Sequence, residues 1–269
     1  MPIDPKTGTG IVNGYHIGPD VDLTGADLRD GYLSGADLSG ANLSSSDLTH
    51  AYLLHADLSS ANLYDANLTS ANLKAANLSG ANLSATTMSF SNLSGADLRG
   101  ADLTGSYLLS ADLSGADLWD ANLSSTYLVR ANLRGATPVG ANFTGANLSS
   151  SNLVRADLEG ANLERANLYY ANLSGSNLAY ADLSRANLVA TDLSGANLTG
   201  AHLTEVRFID VDLAGAILSN ADLSGSDLSG ANLFLANFTD CQGIELANFD
   251  GAFMDDKLRE YIRSRGGNI

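Results

Sequence analysis

From Leu23 to Phe238 every fifth residue is large and apolar, nearly always leucine, and the phase does not slip. The unit reads Ala-(Asp/Asn)-Leu-X-X, as in Ala26-Asp27-Leu28-Arg29-Asp30 and Ala171-Asn172-Leu173-Ser174-Gly175. It occurs 44 times in succession between Val21 and Asp240. A period of five matches neither the 3.6 residues of an α-helix nor the 2.0 of a flat strand. The leucines must be buried, because so many large apolar side chains would not stay in solution if exposed. Two residues earlier the chain carries Ala in most copies, otherwise usually Ser or Thr, which implies a confined inward position. The residue just before the leucine is Asp or Asn in 35 copies, short and polar, and should point outward. The last two positions are rich in Ser, Thr and Gly, which favour corners. Glycines such as Gly35, Gly95 and Gly195 accept the φ that a tight turn demands.

Each unit is therefore a very short extended piece followed by a turn. A chain that turns every five residues closes on itself and stacks, with coils at the strand spacing of roughly 4.8 Å. On these units, which span about four-fifths of the chain, the sequence resembles the pentapeptide repeat family. The resemblance implies an all-β fold, a right-handed, four-sided parallel β-helix with four units per coil. Eleven coils would make a rod about 50 Å long. The family is abundant in bacteria, especially cyanobacteria.

Residues 1–20 read as an N-terminal extension and cap, 21–240 as the repeat helix, and 241–269 as phase-shifted last units and a helical cap. After Phe238 the centres move by one, to Ile244, Phe249 and Met254. The stretch from Asp255 to Arg263 then predicts a short α-helix, capped by Asp255 or Asp256 and followed by Gly266. Leu258, Tyr261 and Ile262 share one face of it. That face either plugs the C-terminal opening or joins two copies, as the C-terminal helices of some family members do. Ile11, Val12, Tyr15 and Ile17 are expected to cover the first coil, and residues 1–10, with two Pro and two Gly, to be mobile. Pro138 occupies a centre and costs the ladder one bond. Val206, Val211 and Ile217 break the pattern and predict a slight swelling.

Thirty acidic against 14 basic residues give a net charge of −16, which opposes adhesion to nucleic acid and anionic lipid and favours basic partners. The lone Cys241 excludes an intrachain disulfide and a cysteine-based zinc site. No apolar run at the N-terminus reads as a secretory signal and none is long enough to span a membrane, so a cytoplasmic location is expected.

With four units per coil, residues twenty apart share a column. On one side the outward residues turn apolar: Phe90, Tyr107 and Leu109, Tyr127 and Val129, then Tyr169 and Tyr170, Val189 and Ile209. A coil with Asn147, Ser149 and Ser150 interrupts this stripe. Tyr107 should stack on Tyr127, and Tyr32 on Tyr52. The stripe reads either as cross-coil packing or as a surface for a protein partner or a second copy. Another side is acidic, with Asp37, Asp57, Asp97, Asp117, Asp120, Asp157 and Glu159. It reads as a solvated face or as a site for a basic ligand, and carboxylates one coil apart should raise one another's pKa. Asparagine columns such as Asn62 over Asn82 should form side-chain ladders.

No catalytic constellation or cofactor motif appears. His16, His50, His55 and His202 lack a consistent column partner, and a metal shared by His50 and His55 is a weak idea. Outward Thr is too sporadic for ice binding. The leading reading is a non-enzymatic interaction protein that docks an unidentified partner, as a monomer or as a homodimer through a face or the C-terminus. The family resemblance also implies an alternative, since some members resemble duplex DNA in width and charge and bind DNA gyrase. This chain lacks the inserted loop that several of those carry, and its C-terminal helix bears Lys257, Arg259, Arg263 and Arg265.

Overall fold

The computed structural model describes residues 3–269. It divides into two compact units that meet in sequence between Thr137 and Pro138. In both, nearly all pairing is by single parallel bridges between residues twenty apart, such as Asn42 with Asn62 and Asn162 with Asp182. Twenty residues are four repeat units, so four units complete each turn of chain.

The unit satisfies all five of its backbone N–H groups, which explains its composition. In residues 61–65 the Ala61 N–H closes the preceding corner on the Leu58 carbonyl at 3.0 Å. The Asn62 N–H donates back one coil to Ala41 at 2.9 Å, and Leu63 donates forward to Asn82 at 2.7 Å. Asp65 also donates forward, to Ser84 at 3.1 Å. Only the Tyr64 N–H has no ladder partner, and the Asn62 side-chain oxygen takes it at 3.3 Å. The preference for Asp or Asn just before the leucine therefore supplies the missing fifth acceptor, as an Asx turn.

The last residue of each unit is left-handed, with φ of +66° at Gly35 and +60° at Phe90. Such a conformation costs a non-glycine residue about 1–2 kcal/mol. The ladder bond donated from that residue, such as Phe90 N–H to the Leu109 carbonyl at 2.9 Å, helps to offset it.

In the first unit the inward leucines and alanines are buried without exception from Leu28 to Leu133. Strands β1 (Gly10–Val12) and β2 (Tyr15–Ile17) form an antiparallel hairpin around Asn13-Gly14, both at positive φ. That dipeptide is a strong two-residue hairpin signal. Of the four residues expected to cover the first coil, Val12 and Ile17 are buried, whereas Ile11 and Tyr15 are exposed; neighbours on a strand face opposite ways, which turns Ile11 away from the face of Val12, and the Tyr15 hydroxyl accepts from the Asp27 N–H at 3.3 Å. The start of the chain, expected to be mobile, carries hydrogen bonds of its own. Residues 1 and 2 lie outside the described residues, but Asp4 and Thr9 close a hydrogen-bonded turn at 2.8 Å. Its Gly8 carbonyl accepts from the Asp37 N–H at 2.8 Å, and the Asn13 side chain donates to the Arg29 carbonyl at 3.0 Å. These bonds take up edge groups of the first coil.

In the second unit Pro138 is buried at its centre and donates no ladder bond. Phe143 and Phe208 replace leucine inside. Val206 and Val211 enter the small inward position and are buried, and the Val206 N–H turns to the Ser226 hydroxyl at 3.1 Å. Ile217 sits at the outward position and is exposed, so it adds nothing to the core volume. The extra residue after Phe238 is absorbed by a 3-10 turn, Ile244–Leu246, after which Asn248 and Phe253 bridge to Asp227 and Asn232, twenty-one residues back. Helix α1 (Asp256–Ser264) follows, its first turn capped by the Asp255 carboxylate on the Leu258 N–H at 2.8 Å. Leu258 and Ile262 are buried, Tyr261 is half-buried, and the chain returns to the ladder as Asn268 pairs with Asn248.

Candidate interaction surfaces

In the first unit Phe90, Tyr107, Leu109, Tyr127 and Val129 lie on one column set. Thr87, Tyr107 and Tyr127 are bridged in succession, Phe90 donates to the Leu109 carbonyl, and Ser110 donates to that of Val129. Tyr107 and Tyr127 stack with centroids 4.9 Å apart and planes 6° from parallel. Phe90 is 59% exposed, Tyr107 48% and Tyr127 47%; Val129 is half-buried. Tyr107 stands where most units carry Asp or Asn. Among the described residues the Leu109 N–H accordingly finds no acceptor, so the aromatic residue gives up the bond that Asx supplies elsewhere.

In the second unit Tyr169 and Tyr170 meet edge to face at 4.4 Å within one coil. The hydrogen bond to the Tyr170 hydroxyl raises the Tyr169 phenol above its ordinary range. Tyr170 donates to the Val189 carbonyl and Ala190 to that of Ile209; both aliphatic side chains are half-buried. Asn147 and Ser149 are half-buried and Ser150 exposed where the sequence interrupts the stripe. On another side Tyr32 and Tyr52 stack at 5.0 Å.

The acidic column of the first unit runs Asp37, Asp57, Asn77, Asp97, Asp117 through parallel bridges, with Asp120 on an exposed left-handed corner. Its carboxylates are largely engaged. Asp37 accepts from the Ser39 N–H and hydroxyl, and Asp57 from the Ser59 N–H and the Asn77 amide. The expectation that stacked carboxylates raise one another's pKa fails at Asp97. The Arg99 guanidinium forks onto it at 2.9 and 2.5 Å and reaches Asp117 at 3.6 Å, and this hydrogen bonding pulls the Asp97 pKa down. Arg29 repeats the device between Asp27 and Asp47 and lowers Asp27 to about 2. In the second unit Asp157 and Glu159 both accept from the Asn177 amide.

Asparagine columns form the expected ladders: Asn62 donates to Asn42 and Asn82 donates to Asn62, each at 3.0 Å. His50 approaches only Asp30, at 3.6 Å, and among the described residues no group of His, Cys, Asp and Glu is arranged to hold a metal. Cys241 is buried with its thiol donating to the Leu218 carbonyl, and burial pushes its pKa up to about 12. Among the described residues no helix is long and apolar enough to cross a membrane.

One set of exposed apolar residues escaped the sequence reading. Phe234, Leu235, Leu246 and Phe253 are exposed near the C-terminus, and Phe234 and Phe253 stack at 5.9 Å. The signal was present, since Phe234 and Leu235 stand at corner positions that elsewhere are mostly polar or glycine.

These bridged coils of five-residue units define a solenoid of the β-helix class. The model of the family described as pentapeptide repeats matches residues 20–53, 36–74, 51–89, 66–105, 106–137, 126–165, 141–179, 166–205, 181–220 and 201–240, and the chain belongs to that family. Its members and structural neighbours imply a right-handed helix. HetL from the cyanobacterium Nostoc sp. strain PCC 7120, a pentapeptide repeat protein involved in heterocyst differentiation regulation, is 38% identical with a TM-score of 0.52. The match covers 72% of this chain and 90% of HetL. Rfr23 from the cyanobacterium Cyanothece 51142 is 28% identical over 43% of this chain and 88% of its own, with a TM-score of 0.37. QnrB1, a plasmid-mediated fluoroquinolone resistance protein, is 23% identical over 70% and 91%, with a TM-score of 0.34. No curated protein sequence matches the chain.

Proposed function

We propose that the protein is a non-enzymatic docking scaffold whose apolar stripe binds a protein partner. The observation that carries this reading is the run of exposed apolar side chains around Tyr107. A tyrosine there leaves the Leu109 N–H without its Asx acceptor and keeps nearly half its own surface in water. Tyr32 and Tyr52 give up the same bond on another side, but only here do Phe90, Leu109 and Tyr127 join the tyrosine on one column set, and a contiguous exposed apolar surface is better explained by an occupant than by packing. Phe90, Leu109, Tyr127 and Val129 extend the surface in the first unit; Tyr169, Tyr170, Val189 and Ile209 offer a second patch. The partner is a protein, with no direct binding of nucleic acid, and the scaffold acts as a monomer or as a homodimer. A four-sided coil section is part of the proposal. Likeness to HetL, itself involved in regulation, supports an interaction role over catalysis. The test is capture of partners by wild type and by a variant with Tyr107, Leu109, Tyr127 and Val129 replaced by Ser. Identical partner lists would reduce the stripe to packing.

The net charge of −16 favours a second reading, a mimic of nucleic acid acting on DNA gyrase. The Arg29 and Arg99 clasps and the basic residues of α1 weigh against it. Supercoiling by purified gyrase, unchanged by micromolar protein, would remove it.

A further inference from the structure

The switch from coil to helix at the C-terminus leaves a strand edge open. At Asn237 the bonds toward the preceding coil are intact: its N–H donates to the Ala216 carbonyl at 2.9 Å, and Leu218 donates to its carbonyl at 2.8 Å. The equivalent pair facing the other way is the Phe238 N–H and the Ala236 carbonyl. Among the described residues neither has a partner. The next coil would have supplied both, but the chain there turns into α1, and Leu258 is buried in place of a strand residue. Of the ladder donors stranded by this switch, Asp240 is rescued, its N–H donating to the Tyr261 hydroxyl at 3.1 Å. A groove of about 280 Å³ separates the edge from the helix, with Leu235, Phe238, Asp255, Leu258 and Tyr261 in its walls. Leu235 is 66% exposed, and Asn237 is exposed on the open side of the edge.

We propose that this groove takes an extended peptide segment of a partner protein by parallel strand addition. One peptide residue donates its N–H to the Ala236 carbonyl and accepts from the Phe238 N–H, as Asn237 itself pairs with the coil before it. A backbone donor and acceptor held one strand residue apart select peptide backbone, and the apolar walls favour a flanking apolar side chain. A second copy is a poorer occupant, because the first coil's edge is already engaged by the Gly8 carbonyl and the Asn13 side chain. The proposal stands on the C-terminal edge and is independent of the stripe.

The test uses the full chain, labelled with nitrogen-15, and the probe acetyl-Ala-Asn-Leu-Ser-Gly-amide, one unit of the chain's own repeat. Saturable shifts centred on the Phe238 amide, with new protection from hydrogen exchange there, are expected. N-methylation of the probe's asparagine should weaken binding about tenfold, the effect of one lost hydrogen bond. Leu235→Arg should weaken it with the remaining spectrum unchanged. Three results would overturn the proposal: shifts centred elsewhere, equal binding of the N-methylated probe, or a Phe238 amide already protected in the free protein. A rise in sedimentation coefficient accompanying that last protection would identify the occupant as a second copy.

Discussion

Replacing Asn62 tests whether the outward asparagines hold the coils together or merely decorate them. Its amide donates to the Asn42 side chain at 3.0 Å, and its oxygen accepts from the Asn82 amide at 3.0 Å and the Tyr64 N–H at 3.3 Å. Asn62→Ala removes all three. At about 0.5–1.5 kcal/mol net for each bond, and toward the lower half for a half-buried site, the loss is about 1.5–3 kcal/mol. Asn62→Asp keeps both acceptor bonds and loses only the donor, so it should cost about 1 kcal/mol at neutral pH. Urea unfolding followed by circular dichroism, with a common slope, gives the three stabilities. The expected order is wild type, then Asn62→Asp, then Asn62→Ala. An alanine variant within about 0.5 kcal/mol of wild type, the scale of an ordinary surface substitution, would refute the ladder's contribution.

Leu113 is fully buried, so Leu113→Asp inserts an unpaired charge into the core and should lower the melting temperature sharply; an unchanged value would contradict the inward assignment. The Asp27 carboxyl is depressed to about 2 by Arg29, so its contribution is present above the ordinary carboxylate pKa and lost as pH falls through about 2. Carbon-13 titration should show that midpoint returning toward the ordinary value in Arg29→Gln. Cys241 is buried with its pKa pushed up to about 12, so Ellman's reagent should label it only on unfolding; rapid native labelling at pH 8 would contradict its placement. The buried Asn187 side-chain oxygen has no partner among the described residues, and the next residue in its column is Arg207. Arg207→Asn should extend the ladder and stabilise the protein by about 1 kcal/mol in the same urea assay.

The repeat was legible because one residue in five must be apolar for the coil to have an interior at all, and period alone reveals that. The stacking of Tyr107 on Tyr127 and the Asn62 ladder followed from counting twenty residues per turn. What a column count cannot supply is where a side chain finally reaches. Arg99 lies two residues beyond Asp97 and folds back on it, which inverted the expected pKa direction. The column count places asparagine outward and in ladders, but not the second task of its oxygen, which closes the turn on a backbone N–H and is visible only when every donor is traced. The hairpin at Asn13-Gly14 was readable from its dipeptide but lay outside the repeat that dominated the reading. The open edge at Phe238 depends on where the coil stops and the helix begins, and that boundary carries no periodic signal.

Hydroxyl-radical footprinting of the protein alone and with its captured partner tests the docking reading most directly. Phe90, Tyr107, Leu109 and Tyr127 are exposed and should lose labelling in the complex. Tyr32, Tyr64 and Trp119, exposed on other sides of the same unit, should keep theirs. Undiminished labelling of the first group, or protection confined to the second, would contradict the account.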